Sequence, residues 1–433
     1  MKMEDEEFEV SVGMSRKWDA REAGREVAEN TLKKLNHDPS FFLLFSTIHY
    51  EKHGGFQEFL NGVWDVLPKG TPLIGGTVAG FMNAEGCYTR GASAIAVSYP
   101  FMDISIGIGK NTKRFPGLAG KNCAKNLLKN IKESKYEYRI CLDLISGVTM
   151  PRIPGKKRIV VLKNKYLAGL SVFLLKISTI LFQKGVAREE DVLQPLLELL
   201  GKESYIFGGS TVDDNNFSRS YQFAGNKILT ESIVTFALSL NKKPSIHYGH
   251  GFEPTNQSFS DVKLNAWGRM IKKIDGEPAV EKYLKTLNWS DDLIDEENFH
   301  RRLIFNPLGS RDEDGFIHPF VPGAFLGSNY VTGCPIMGGE INLLNASGGN
   351  LLSAVEQVVS SSPKNADFYF LTSCASRLET IGNSTYSIQK KLLEEIGDSF
   401  LLIYTAGENF YVPNGSLKNL EVSFNLFTLG GNE

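Results

Sequence analysis

The chain has little that would commit it to a specialised chemistry. It holds five cysteines in 433 residues (Cys87, Cys123, Cys141, Cys334 and Cys374), with no C-x-x-C pair and no regular spacing. An odd, scattered set suits reduced thiols better than a disulfide framework or a zinc site. No H-E-x-x-H occurs, no G-x-x-x-x-G-K-[ST] loop, and no G-x-G-x-x-G fingerprint after a strand. The pairs His49/His53 and His247/His250 lack a third ligand at a recognised spacing. No metal and no cofactor is therefore expected. An excess of charge is missing too: 47 basic against 49 acidic residues leave a net charge of −2. Nothing global draws a nucleic acid or an anionic membrane. The start, MKMEDEEFEV, lacks the basic-then-apolar order of a signal peptide, which points to a cytoplasmic protein. The longest apolar run, YLAGLSVFLLKISTILF at 166–182, is interrupted by Lys176 and is shorter than the ~20 residues of a spanning helix. A helix buried in the core is expected there, and membrane association is not.

Two local charge imbalances remain. RIPGKKRIVVLKNK (152–165) is basic without an acid, and DDLIDEE (291–297) is acidic; both read as solvated faces. The rest is ordinary globular composition, 42% hydrophobic and 22% charged, at a length that favours two or three domain-sized units.

Along the chain, residues 12–35 carry apolar side chains at helical intervals and predict an opening helix. FFLLFST (41–47) is a short continuous apolar run, as of a strand covered on both faces. GFQEFLNGVWDVL (55–67) reads as helix, TPLIGG as the next strand, and GASAIAVSYPFMDISIGIG (91–109) as two antiparallel strands. The C-terminal end repeats this order in DFYFLTSC, TYSIQKKLLEEIG, FLLIYTAG and LEVSFNLF. Ser46 to Gly80 and Ser373 to Gly407 are each 34 residues apart, and Gly80 to Ala94 and Gly407 to Glu421 are each 14. A looser middle copy runs through RICLDLIS, EEDVLQPLLELLG, YIFGG and TESIVTFALS. The expectation is an α/β fold of repeated strand-helix-strand units forming mixed sheets, with a largely antiparallel β insertion in the C-terminal half. Residues 1–240 would hold two units, about 1–135 and 136–240. Residues 241–433 would hold the β-rich part, about 241–346, and a third unit, about 347–433. In IDGEPAVEKYL, Asp275 is the expected helix cap and Pro278 suits the first turn.

Taken in order, LLFST, LIGGTVAG, IDGEPAVEKYL, RRLIFNPLG, FLTSCASR and YTAGENF make the chain resemble the FIST family over nearly its whole length, as N-terminal and C-terminal FIST halves. The resemblance implies a sensory, signal-transduction module that binds a small polar ligand, with amino acids suggested, and works through a signalling protein partner. It implies no catalytic residue set. Where the family's first unit often ends in Gly-Glu, this chain has Gly80-Phe81, and the pair survives only at Gly407-Glu408.

The candidate binding residues sit at strand ends, where open α/β sheets place ligand loops. Arg377, following Ser373 and Cys374, suits a carboxylate. Glu408, beside Gly407, suits an ammonium. The alternative is an Arg377–Glu408 ion pair that only fastens the loops. Gly75-Gly76-Thr77 and Gly208-Gly209-Ser210 offer backbone amides to an anion or, as expected, serve close strand packing, with Thr77 and Ser210 in reserve as ligand contacts. Asp213-Asp214 reads as a turn. Cys374 carries the enzymatic alternative, a thiol-dependent acyl transferase or amidohydrolase. A non-enzymatic scaffold is the third reading.

Overall fold

A computed structural model describes residues 8–131, 133–150, 160–296, 298–336 and 338–431. The acidic start of the chain and most of the basic 152–165 stretch lie outside them. The chain opens with β1 (Glu9–Ser15), α1 (Ala20–Leu32), β2 (Phe41–Ser46), α2 (Phe56–Trp64), β3 (Leu73–Thr77), the hairpin β4 (Gly80–Asn83) and β5 (Gly86–Tyr88), and β6 (Ala92–Ser98). The succession recurs as β7 (Met102–Lys110), α3 (Pro116–Ile131) and β8 (Tyr138–Ser146). After β9 (Val161–Leu162), α4 (Lys165–Phe182) and α5 (Glu189–Leu200) come β10 (Tyr205–Thr211), the hairpin β11 (Gln222–Ala224) and β12 (Lys227–Leu229), and β13 (Ser232–Leu240).

A third succession starts at β14 (Pro244–Gly249) and is interrupted by an insertion. That insertion holds β15 (Glu253–Phe259), β16 (Val262–Leu264), β17 (Met270–Ile274), β18 (Glu277–Pro278), α6 (Ala279–Thr286), α7 (Phe299–Leu303), β19 (Leu308–Arg311), β20 (Ile317–Phe320), β21 (Pro322–Leu326), β22 (Asn329–Thr332) and β23 (Ile341–Asn345). The succession then resumes with α8 (Gly348–Ser360), β24 (Phe368–Cys374), α9 (Ala375–Ile381), α10 (Thr385–Ile396), β25 (Phe400–Thr405), the hairpin β26 (Glu408–Tyr411) and β27 (Lys418–Leu420), and β28 (Phe424–Leu429).

The expected α/β class with mixed sheets is what the structure shows. Three six-stranded sheets run in the orders β1-β6-β2-β3-β11-β12, β7-β13-β8-β10-β26-β27 and β14-β28-β24-β25-β4-β5. In each, the two central strands are parallel (β2/β3, β8/β10, β24/β25) and their neighbours antiparallel. Each sheet ends in a hairpin taken from another succession. The inner faces meet in one aromatic core: Phe41 of β2 touches Phe236 of β13 with ring centroids 5.6 Å apart, Phe45 of β2 stacks on Phe370 of β24 at 5.7 Å, and Phe370 meets Phe207 of β10 at 5.8 Å. Helices α1 and α2, α3 and α5, and α8 and α10 cover the outer faces. The insertion builds a four-stranded sheet, β15-β23-β19-β20, and, with β9 from the second succession added at one edge, a second sheet, β16-β17-β22-β21-β9, around their own apolar cluster.

Four local expectations are corrected. The opening helix begins at Ala20; residues 9–15 form β1, because alternate apolar residues let them pair with β6 as an edge strand. Strands β6 and β7 form no hairpin with each other, since the turn between them carries the chain from the first sheet to the second. Asp275 is not a helix cap: it lies in the β17–β18 turn with φ of 48°, and α6 starts after Pro278. Residues 166–182 do form a helix, but of α4 only Ala168 and Ser178 are buried. The core closes without α4, which packs through Ala168 on Ala324 and Leu326 of the insertion and is tied at its other end by Arg114.

Candidate functional site

The Gly-Gly turns are explained by space. A Cβ on Gly75 would lie 1.8 Å from Leu44 O of the parallel neighbour β2, and one on Gly208 would lie 2.0 Å from Asp143 O of β8. A Cβ on Gly76 would meet Tyr221 O at 2.7 Å, and one on Gly209 would meet Gly407 O at 2.8 Å. None of the four has positive φ; they are glycines because backbone passes too close for a side chain.

Thr77 is fully buried in these crossings, with its Oγ accepting from Tyr221 N at 3.0 Å. Ser373 and Cys374 end β24, both buried. Arg377 follows in the first turn of α9 and is wholly buried, its guanidinium donating to three backbone carbonyls: His250 O at 3.1 Å, Val422 O at 3.3 Å and Leu351 O at 2.5 Å. Burial pulls its pKa down to about 10. Glu408 is equally buried and accepts from Thr405 Oγ at 2.7 Å and Ser423 Oγ at 3.0 Å. Burial outweighs those two donors and pushes its pKa up to about 8. No ion pair joins Arg377 to Glu408 among the described residues. Burial, and then the neighbouring Glu408 carboxyl, push the Cys374 thiol up to about 12. Asp213 closes a turn by accepting from Phe217 N and Ser218 N.

Ser210 and Gly407 do come together. Ser210 N donates to Gly407 O at 2.8 Å, and Ala406 N returns a bond to Ser210 O at 3.0 Å. Ser210 points to the helix-covered face of the second sheet and donates to Glu189 Oε1 at 2.5 Å. Glu189 opens α5, where a carboxylate faces free backbone amides. The point where a Cβ on Gly407 would stand is 3.3 Å from Asn419 Oδ1, 3.5 Å from Glu189 Oε1 and 3.7 Å from Ser210 Oγ. On the same sheet face Asn409 donates to Asp143 Oδ1 at 2.8 Å.

Four buried oxygens of this group have no hydrogen-bond partner among the described residues: Asp143 Oδ2, Glu189 Oε2, Asn409 Oδ1 and Asn419 Oδ1. Asp143 and Glu189 are each 2% exposed, and Asn409 is fully buried. Burial pushes Asp143 up to about 8, Glu189 adding to it. Burial and then the adjoining Glu190 push Glu189 up to about 7. All four unpartnered atoms are carboxyl or amide oxygens, and the donors of the group, Ser210 Oγ, Asn409 Nδ2 and Asn419 Nδ2, are already engaged.

Glu190 connects it to the outside. It accepts from Asn419 Nδ2 at 2.9 Å and from Arg269 Nη2 at 2.9 Å, and it also lines a groove of about 840 Å³ with Asp191, Gln194, Tyr411, Asn414 and Leu417. Arg269 is nearly buried; burial works against its charge, and Glu190 and Glu189 outweigh burial to raise its pKa. Glu421 ends the cluster, accepting from Val321 N at 2.8 Å and Cys334 N at 3.1 Å, with burial raising it to about 7. No group of three or more His, Cys, Asp or Glu suited to a metal occurs among the described residues. Reading from sequence missed Asp143, Glu189, Glu190, Arg269, Asn409 and Asn419. Only Asp143 had left a sign, an acid inside the apolar strand RICLDLIS.

Fold and site together describe an α/β protein of three interlocked mixed sheets with a buried, acid-rich polar cluster that Glu190 links to a groove. Its residues 40–277 match the FIST N domain, and the chain belongs to the FIST family, a family of sensory domains, which supports a role in signal transduction. An uncharacterized protein of Methanocaldococcus jannaschii, MJ1623, is 28% identical over 234 residues, half of this chain. The match covers 44% of that relative's length. Among solved structures, cyanuric acid hydrolase from A. caulinodans aligns over 55% of this chain and 72% of its own, at 9% identity and a TM-score of 0.27. PurLQS from Thermotoga maritima aligns over 98% and 72%, at 10% identity and a TM-score of 0.20. At these scores neither bears on fold or function.

Proposed function

We propose that this FIST protein senses a small polar ligand with a primary amine, an amino acid in the simplest case, bound beside Gly407 and reported to a signalling partner. The observation that carries this reading is the set of buried acceptors without donors around Ser210 and Gly407. An ammonium has three donors and no acceptor, so it complements two carboxyls and two amide oxygens. It would also draw Asp143 and Glu189 back to their charged, accepting forms. Arg269 supplies the complementary cation, now held by Glu190. A ligand carboxylate taking the place of Glu190 on Arg269 would free Asn419 and loosen the β26–β27 hairpin. Ligand-bound and ligand-free states would then differ in a surface element, as signalling through differential affinity requires.

In this reading Ser210 and Gly407 line the site, Glu408 lies on the opposite face of β26, and Arg377, Ser373, Cys374 and Thr77 hold the frame. The thiol-enzyme alternative has less support, since a buried thiol at about 12 is no nucleophile at neutral pH.

Thermal shift and calorimetry across the amino acids, simple amines and simple carboxylates test the reading. Gly407→Ala puts a methyl into the space at contacts of 3.3 Å or more, so the fold should survive while binding falls by about tenfold or more. Glu189→Gln should weaken amine ligands and spare pure carboxylates. Absence of any amine-dependent shift, or undiminished binding by Gly407→Ala, would refute the proposal.

A further inference from the structure

Among the described residues, helix α4 is the element whose sequence and surroundings disagree. Tyr166, Leu170, Phe173, Leu174, Ile180 and Phe182 are 91, 52, 58, 52, 61 and 70% exposed, and no other described helix leaves more than two large apolar side chains in solvent. At about 100° per residue these side chains cover more than half of the helix circumference. A partner helix buries a narrow seam, so this breadth suits a fluid apolar medium better than a second helix.

Charge points the same way. From Lys163 to Arg188 the sequence has five basic residues and no acid. Two copies of such a helix would bring like charges together, whereas anionic lipid headgroups would neutralise them. Lys163 and Arg188 are held by Asp291 and Asp191 in exposed ion pairs, which are weak enough to exchange. Lys176 lies 4.4 Å from the ring centre of half-exposed Trp267, an aromatic suited to the headgroup level.

The helix is long and apolar enough to cross a bilayer, but both of its ends are tied to the same body. At its start β9 pairs with β21, and Ala168 packs on Ala324 and Leu326. At its end Arg114 donates to Ile180 O and Leu181 O, Gln183 bonds Asn111 at 2.8 Å, and Thr149 bridges to Gly185. A crossing would pull one end away from the fold. We infer that α4 is a docking helix that lies in the headgroup region of an anionic bilayer, parallel to the membrane plane, with its basic flanks on the lipid phosphates. This departs from the expectation that the run is core, and it does not depend on the ligand site.

Sedimentation of the full chain with vesicles tests it. Phosphatidylcholine vesicles containing phosphatidylglycerol should carry the protein down at low salt; pure phosphatidylcholine or high salt should carry down much less. Phe173→Ser combined with Leu174→Ser should weaken partitioning by about tenfold or more, with an unchanged melting curve because both side chains are exposed. Independently of any variant, brominated lipid should quench Trp267 fluorescence, with Trp267→Phe as the control. No sedimentation with anionic vesicles would overturn the proposal. So would a lipid-free dimer dissolved by the same double substitution, which assigns the face to a second copy. Resistance to alkaline extraction would also overturn it, because the helix would then span.

Discussion

At the residue scale, the buried carboxyl Glu408 gives the clearest consequence. Burial pushes its pKa up to about 8 in the fold, against an ordinary 4.5. The folded state therefore keeps a proton that the unfolded state releases between these values. The associated stability is fully present below pH 4.5 and is lost as pH rises through 8. Glu408→Gln cannot ionise, and Thr405 and Ser423 can turn their hydroxyls to suit an amide. We expect wild type and variant to melt alike near pH 5. By pH 8 the variant should be the more stable, by a few kcal/mol, up to roughly 4. Thermal melts of both proteins from pH 5 to 9 provide the check; parallel curves would mean that Glu408 is charged in the fold. Arg377 illustrates what spacing cannot convey. Its place after a strand end was legible, but the carbonyls that engage it come from residues 250, 351 and 422, far away in sequence.

At the element scale, Gly75 and Gly208 make equivalent close approaches in two different sheets. Each lies on the second of two parallel central strands, and each would drive a Cβ into the carbonyl of the first. Backbone cannot give way as a flexible side chain can. Gly75→Ala and Gly208→Ala should each cost about 3 kcal/mol or more in urea unfolding. Gly407→Ala, with no contact below 3.3 Å, should cost far less. Equal costs at all three positions would separate these glycines from the packing argument. The central strands were readable because strands covered on both faces leave continuous apolar runs, as in FFLLFS and FYFLTSC. Helix α4 was misread for a related reason: an apolar run reports a preference for leaving water without saying what replaces it. The polar cluster was missed because Glu189, Asn419 and Gly407 meet only through the pairing of β10 with β26.

At the scale of the whole molecule, the exchange of hairpins matters most. The first succession gives β4–β5 to the third sheet, the third gives β26–β27 to the second, and the second gives β11–β12 to the first, which closes a ring. Equal spacings in the sequence revealed similar segments but not this exchange, since strands of three or four residues such as QFA and ENFY do not specify a distant partner. The ring makes the three sheets mutually dependent. Residues 1–240 alone would leave β10 without β26 and β4 without β25, and would remove Phe368, Phe370 and Phe427 from the common core. Unpaired edges next to an open aromatic face favour aggregation. The 1–240 fragment should therefore show no cooperative melt. The full chain should unfold its three-sheet body in a single transition, with tryptophan fluorescence and far-ultraviolet dichroism coincident. A fragment that melted sharply on its own would show that the first two sheets are stable without the exchanged strands, and that the exchange is a late docking step rather than part of the fold's foundation.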